Sequence, residues 1–247
     1  MQQIKIQYKY LTFLSMLYMT IKLTTVVLIY KVIKIGHFSA SASTLVMPLW
    51  FMLGDIITEV YGYKIARHVI WMAILCQFIF AFLCYALINL NAPLLWPHQE
   101  AFNQVLGKLP RVALASFLAI TCGAFLNAYT ISKWKILLRG KYFWLRSLGA
   151  SAVGELIFTI IAYITEFLGV TPLSNLLQLM AISYIIKIVL NPILVIPSMF
   201  IAFVLKQLEN LDTYDYSTNF NPFKFTLEDT SGQPEKIATS TNKLILE

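Results

Sequence analysis

The chain has 247 residues, of which 58% are hydrophobic and 13% are charged, and its mean hydropathy is +0.70. A soluble domain is about 45–50% apolar, so this composition excludes an ordinary soluble globular protein. The net charge is +7 and the pI is about 9.2. Such values would fit a nucleic-acid-binding protein, but the basic residues are distributed as in a membrane protein, so no nucleic-acid partner is expected.

Six apolar segments are long enough to cross a lipid bilayer, which takes about 20 mostly apolar residues per helix. They lie at about 10–30, 39–60, 69–91, 112–132, 148–169 and 180–205. The period-two alternation of a transmembrane β-barrel is absent. We therefore predict an all-α membrane protein, a bundle of about six transmembrane helices. The first segment is too long for a typical signal-peptide core, so we expect it to remain as a span.

Basic residues indicate the topology, because short cytoplasmic loops are enriched in Lys and Arg. With a cytoplasmic N-terminus, the loops on the outside hold four basic residues: Lys31, Lys34, Lys108 and Arg111. Those on the inside hold seven: Lys64, Arg67, Lys133, Lys135, Arg139, Lys141 and Arg146. Both termini are therefore expected in the cytoplasm. The end of the chain is polar, so we divide it into a membrane domain, 1–206, and a mobile cytoplasmic tail, 207–247.

Ionisable residues inside the predicted spans are the strongest functional signal. Each costs about 2.5–3.5 kcal/mol near the bilayer centre and is accepted where it faces a cavity or a partner. These residues are Lys22, Asp55, Glu59, Glu155, Glu166 and Lys187, with Asn127 and Asn191 as uncharged companions. Glu155 and Lys187 are expected to point into the bundle. Lys22 and Glu166 are nearer the span ends, where side chains reach out to water, and a structural role is favoured for Glu166.

Asp55 and Glu59 are four residues apart and share a helical face. Two close carboxylates resist ionising together, so the pair suits a proton relay or a hydrogen-bonding clamp for a ligand. The alternative is that Glu59 reaches the interface and pairs with Lys64 or Arg67. Trp50, Trp71, Tyr61 and Tyr63 are expected in the aromatic belts. The sequence has no enzyme-like nucleophile and base set, so an enzyme, a metal site or a cofactor is not predicted.

Four stretches together resemble the queuosine precursor transporter family, also called the VUT family of integral membrane proteins. They are GDIITEVYGYKIARHVIW, RVALASFLAITCGAFLNAYTISKWK, GKYFWLRSLGASAVGE and YIIKIVLNPILVIP, and they occur in the expected order across about 10–206. The resemblance implies a cell inner-membrane importer of small bases, 7-cyano- or 7-aminomethyl-7-deazaguanine. A homo-oligomer is left open.

The substrate site implied by this resemblance and by the buried charges contains Asp55, Glu59, Asn127, Glu155 and Lys187. Arg67, Arg111 and Arg146 are expected as supporting charges. The chain departs from the family at Phe158 and Ser183, where many members carry Asp. Two alternatives therefore stay open: a vitamin-type substrate-binding subunit that needs an energising partner, and a membrane scaffold or sensor that transports nothing.

Overall fold

The computed structural model describes residues 8–224 except positions 37, 92, 94 and 95. In this part of the chain the elements are α1 (Leu11–Leu28), β1 (Val32–Ile35), β2 (Phe38–Ser41), α2 (Ser43–Ile88), α3 (Gln99–Leu106), α4 (Leu109–Ala119), α5 (Phe125–Leu137), α6 (Phe143–Phe167) and α7 (Leu173–Glu209). A π-helical turn, Ile120–Ala124, joins α4 to α5. Five helical segments of the described residues are long and apolar enough to cross a membrane, which confirms the predicted all-α membrane bundle.

The second and third predicted spans, 39–60 and 69–91, lie in one helical element, α2, of 46 residues. A straight helix of that length would measure about 69 Å, more than twice the apolar thickness of a bilayer. Gly62 interrupts α2 with φ 82° and ψ 171°, a conformation that is essentially confined to glycine. Residues on either side of Gly62, among them Gly54 and Ile70, line one small cavity, so the chain folds back at this glycine. The six predicted spans thus fall within five helical segments of the described residues.

A short β-hairpin covers one end of the bundle. Residues 39–41 were predicted to begin the second span, but they belong to β2, which pairs antiparallel with β1 from Val32 opposite Ser41 to Ile35 opposite Phe38. The Ser41 hydroxyl donates to the carbonyl oxygen of Ile29 at 2.6 Å, so it satisfies an acceptor at the end of α1. We call this the hairpin end of the bundle.

The opposite end is covered by a segment that follows α7. This helix continues to Glu209, past the predicted domain boundary at 206, and residues 210–224 fold back onto the bundle, with Leu211 and Asp215 buried. We call residues 210–224 the strap, and this end the strap end. The later part of the predicted tail, 225–247, lies outside the described residues.

The π turn packs tightly against α6. A Cβ atom on Gly123 would lie 2.6 Å from the carbonyl oxygen of Gly154, and one on Gly154 would lie 2.9 Å from Cβ of Asn127. Small residues permit such close approach of membrane helices. The contact brings Asn127 of α5 against the polar residues of α6.

Candidate functional site

Polar side chains are buried along the whole bundle. Ten acidic or basic residues (Asp, Glu, Lys or Arg) of the described chain are at most 4% exposed: Lys22, Asp55, Glu59, Arg67, Lys135, Arg146, Glu155, Glu166, Lys187 and Asp215. At about 2.5–3.5 kcal/mol for a charge near the membrane centre, this arrangement needs compensating partners. The partners divide the residues into a central cluster, a strap-end cluster and a hairpin-end chamber.

The central cluster surrounds Asp55 of α2. Its Oδ1 accepts a hydrogen bond from Nδ2 of Asn127 at 2.6 Å. Its Oδ2 accepts one from the hydroxyl of Ser147 at 2.5 Å and one from that of Ser151 at 3.2 Å. Donors from α5 and α6 therefore hold this carboxylate in one position. The amide oxygen of Asn127 is buried without a hydrogen-bond partner.

The strap-end cluster surrounds Glu59, one helical turn from Asp55. Arg146 binds its carboxylate with two hydrogen bonds, Nη1 to Oε2 at 2.6 Å and Nη2 to Oε1 at 3.1 Å. Lys206 lies 2.5 Å from the same carboxylate. Lys135 donates to the backbone carbonyl oxygen of Glu59 at 2.6 Å. Asp55 and Glu59 thus share a helical face, but each carboxylate has its own donors.

Asp212 of the strap completes this cluster. It lies 2.6 Å from Nζ of Lys135 and 2.8 Å from Nζ of Lys206. Burial alone would raise the pKa of Asp212, but the two ammonium groups outweigh burial and hold the pKa below its ordinary value. The strap is thus fastened to α5 and α7 by ion pairs.

Further hydrogen bonds fasten the strap to α2. Arg67 donates from Nη1 to the carbonyl oxygens of Asn219 at 3.0 Å and Asn221 at 2.8 Å. Asp215 accepts from the backbone N–H of Tyr63 at 2.9 Å and also from the hydroxyl of Ser132. The strap therefore closes the bundle where α2 reverses.

The hairpin-end chamber is a small cavity between α1, α2, α4, α6 and α7. Its lining is Lys22, Thr25, Val26, Ile29, Ser43, Thr44, Met47, Val112, Ser116, Phe158, Ala162, Tyr163, Glu166 and Lys187. The space open to the centre of a water molecule is about 20 Å³, which is room for about one water. Hydrogen bonds between Ser183 and Thr44, at 3.0 Å, and between Ser183 and Tyr163, at 2.5 Å, join three helices at this end.

Two lysines extend into the chamber. Nζ of Lys22 lies 3.4 Å from the hydroxyl of Ser116, and Nζ of Lys187 donates to that of Thr159 at 2.8 Å. Both ammonium groups face the ring of Phe158, at 5.5 Å and 5.8 Å from its centroid. Favourable cation–π contacts of this kind offset part of the cost of burying the charges.

Two carboxylates near these lysines have oxygens without hydrogen-bond partners. Oε2 of Glu166 is one and Oε1 of Glu155 is the other, whereas Oε2 of Glu155 accepts from Asn191 at 3.2 Å. Glu155 is attracted electrostatically to Lys187 of the chamber and repelled by Asp55 of the central cluster, so it is close enough to both groups to feel their charge.

The structure brings the residues predicted from the sequence together in separate groups. Asp55 contacts Asn127, and Glu59 contacts Arg146. Arg67 binds the strap. Arg111, predicted as a supporting charge, instead donates to the carbonyl oxygens of Thr165 at 3.0 Å and Leu168 at 2.6 Å, where it caps α6.

Several expectations about individual side chains were wrong. Lys22 is 1% exposed and Glu166 is 2% exposed, so neither reaches out to water from a span end. Trp50, expected in an aromatic belt, is 1% exposed and lies under the ammonium group of Lys22. Sequence reasoning did not select Lys135, Lys206 or Asp212 for the site, because their roles depend on the strap folding back. For Lys22 and Glu166 the sequence did contain a usable signal, because a charged residue within an apolar segment indicates a buried polar group.

These features define a polytopic α-helical membrane protein with polar groups buried from one end of the bundle to the other. The sequence model of the family described as "Putative vitamin uptake transporter" matches residues 41–203. The chain belongs to this family, which confirms the resemblance seen in the sequence. Lys22, Lys206 and Asp212 lie outside the matched range.

One curated relative is the "Probable queuosine precursor transporter" of Bacillus subtilis (strain 168). It is 28% identical over 160 residues, which cover 64% of this chain and 70% of the relative. No solved structure gives a significant match.

Proposed function

We propose that this chain is a secondary transporter that imports a queuosine precursor, 7-cyano- or 7-aminomethyl-7-deazaguanine, or a closely related small base. The observation that carries the proposal is the series of buried polar groups that extends from Glu166 through Asp55 to Asp215. A polar base crosses the bilayer centre at acceptable cost only if protein groups replace its hydrogen bonds to water. The name of the Bacillus relative supports the choice of base.

In this proposal Asp55, Asn127, Glu155 and Lys187 line the path of the base. Asn127 and Glu155 offer buried acceptor oxygens without partners, which N–H donors of a base would satisfy. Lys187 makes one hydrogen bond, to Thr159, so its other donors are available to a carbonyl oxygen. Glu59, Arg67 and Arg146 serve the closed strap end instead of binding the base.

Transport then requires the bundle to open at each end in turn. The strap and its ion pairs close one end. The chamber near the other end has room for about one water, so a bicyclic base enters only after the helices separate. Alternating access of this kind is general among secondary transporters. The basic loops lie at the strap end, so we place this end in the cytoplasm. We place the protein in the cell inner membrane.

The test is uptake of labelled 7-cyano-7-deazaguanine by liposomes that contain the purified protein. We expect uptake by the protein alone, and its loss in Asp55→Asn, because an amide cannot accept from all three donors around Asp55. Glu100→Gln is the control, since this carboxylate is exposed on α3. Binding without uptake would instead indicate a substrate-binding subunit that needs an energising partner. If the protein neither binds the base nor takes it up, a scaffold or sensor is favoured.

A further inference from the structure

We propose that Glu166 determines which base is accepted: its carboxylate binds the adjacent N–H donors on the edge of a planar base. This inference rests on the proposed function and deepens it, because it assigns the recognition step to the hairpin-end chamber. Glu166 lines that chamber and is 2% exposed.

The other buried carboxylates of the spans have more partners than Glu166. Asp55 accepts from three side chains, and Glu59 is held by Arg146 and Lys206. Glu155 keeps one oxygen without a partner but binds Asn191 through the other. Burying an acceptor without a donor is costly, so Oε2 of Glu166, which no group among the described residues satisfies, is suited to accept a hydrogen bond from a ligand.

Hydrogen-bond donors and an acceptor lie together in the chamber. Lys22, Lys187 and Glu166 line it, and both lysines, together with Arg111, act electrostatically on Glu166. Each ammonium group has three N–H donors and makes one hydrogen bond here, Lys22 to Ser116 and Lys187 to Thr159. The chamber thus offers both donors and an acceptor to a polar ligand.

The lining also has a shape that suits a flat ring. Phe158, Ala162 and Glu166 are spaced by four residues, so they share one face of α6, and all three line the chamber. Once the helices separate, a flat ring packed on Phe158, beside the small Ala162, would direct one edge along this face toward Glu166. A carboxylate accepts two adjacent N–H donors in a paired geometry. The base edge that matches is a ring N–H next to an exocyclic amine.

A binding cycle with two ligands tests this assignment. The ligands are 7-cyano-7-deazaguanine and the analogue that lacks the exocyclic 2-amino group, and the dissociation constants are measured with the full-length purified protein in detergent. Wild-type protein should prefer the amine-bearing base by about 10- to 100-fold, the range for one hydrogen bond to a charged group. Glu166→Gln should weaken binding of that base by a similar factor and remove most of the preference.

Glu155→Gln is the matched control, because Glu155 is the other carboxylate with a bare oxygen. It should keep the preference for the amine-bearing base even if overall affinity falls. If Glu166→Gln does not fold, as judged by gel filtration, Glu166→Asp replaces it: the retracted carboxylate should weaken binding of the amine-bearing base and reduce the preference.

The outcomes separate this inference from the proposed function. A preference unchanged in the Glu166 variant, or lost in Glu155→Gln instead, would overturn the role of Glu166 and leave the transporter proposal standing. Failure of wild-type protein to bind either base would overturn both.

Discussion

Glu59 and Arg146 form a bidentate ion pair inside the bundle, with N–O distances of 2.6 Å and 3.1 Å. Both side chains are at most 2% exposed. The pair joins α2 to α6 beside the point where α2 reverses. The Nζ atoms of Lys206 and Lys135 lie 2.5 Å and 3.8 Å from Oε1 of Glu59. Glu59 is therefore the centre of the closed strap end.

Removing the Glu59 carboxylate should therefore destabilise the protein strongly. Glu59→Gln leaves Lys135 and Lys206 with Asp212 as their carboxylate and leaves Arg146 with none among the described residues, and breaking a buried pair from one side costs about 3–5 kcal/mol. The measurement is the thermal unfolding midpoint in detergent. Within the same cluster, Lys135→Gln should also lower the midpoint, whereas Lys141→Gln, an exposed lysine shortly after α5, should not. Equal midpoints for Glu59→Gln and wild type would contradict this role.

Gly62 should tolerate no side chain. Its φ of 82° and ψ of 171° suit glycine alone, and a Cβ atom would lie 2.8 Å from Cγ2 of Thr213 in the strap. We expect Gly62→Ala to cost about 1–3 kcal/mol and to expose the strap to protease. Gly54→Ala is the matched control, because its Cβ would meet Tyr18 at an ordinary 3.5 Å. Strap cleavage at the same rate in both variants would argue against the close contact.

The Asp212 ion pairs predict an acid-sensitive strap. The folded pKa of Asp212 lies below its ordinary value, so the stabilisation is fully present above about pH 4 and is lost as pH falls through the folded pKa. Asp212→Asn lacks this contribution. Its unfolding midpoint should thus lie below that of wild type at about pH 6, and the difference should shrink as the pH falls below about 4. A constant difference across this range would mean that ionisation of Asp212 contributes nothing.

The topology can be checked by labelling single cysteines in a variant that lacks Cys76, Cys84 and Cys122. Tyr216 of the strap is 69% exposed, and Val170 in the turn at the hairpin end is 54% exposed. In intact cells, a membrane-impermeant maleimide should label Val170→Cys and spare Tyr216→Cys. Disrupted cells should show labelling at both positions. The reverse pattern in intact cells would place the strap outside.

The fold was largely predictable because apolar length alone identifies membrane helices. The six segments recur in the structure. The predicted start of the second span was wrong, since residues 39–41 form a strand and apolar length cannot distinguish a strand from a helix end. The reversal at Gly62 was predicted as a loop between spans. The helix instead resumes at once, because a single glycine adopts the conformation that the turn requires.

The site was less predictable, because burial depends on contacts between distant segments. Asp55 and Asn127 were selected and do meet. Because Asp55 and Glu59 share a helical face, the sequence suggested that they act together as a proton relay or a ligand clamp. In the structure, each carboxylate accepts hydrogen bonds from donors on other helices. Glu166 was placed near a span end, where the sequence cannot show that Lys22 and Tyr163 shield it from water. The strap could not be anticipated, since its polar composition resembles a solvated tail.

We propose that the chain imports queuosine precursors along its buried polar path. The most direct measurement uses cells that can neither make these precursors nor import them, supplied with this gene and with 7-cyano- or 7-aminomethyl-7-deazaguanine. Queuosine in tRNA is then read by a mobility-shift gel. We expect wild-type protein to restore the modification and Asp55→Asn, at equal membrane levels, to leave the tRNA unmodified. Unmodified tRNA, with wild-type protein present in the membrane, would contradict the assignment of the substrate.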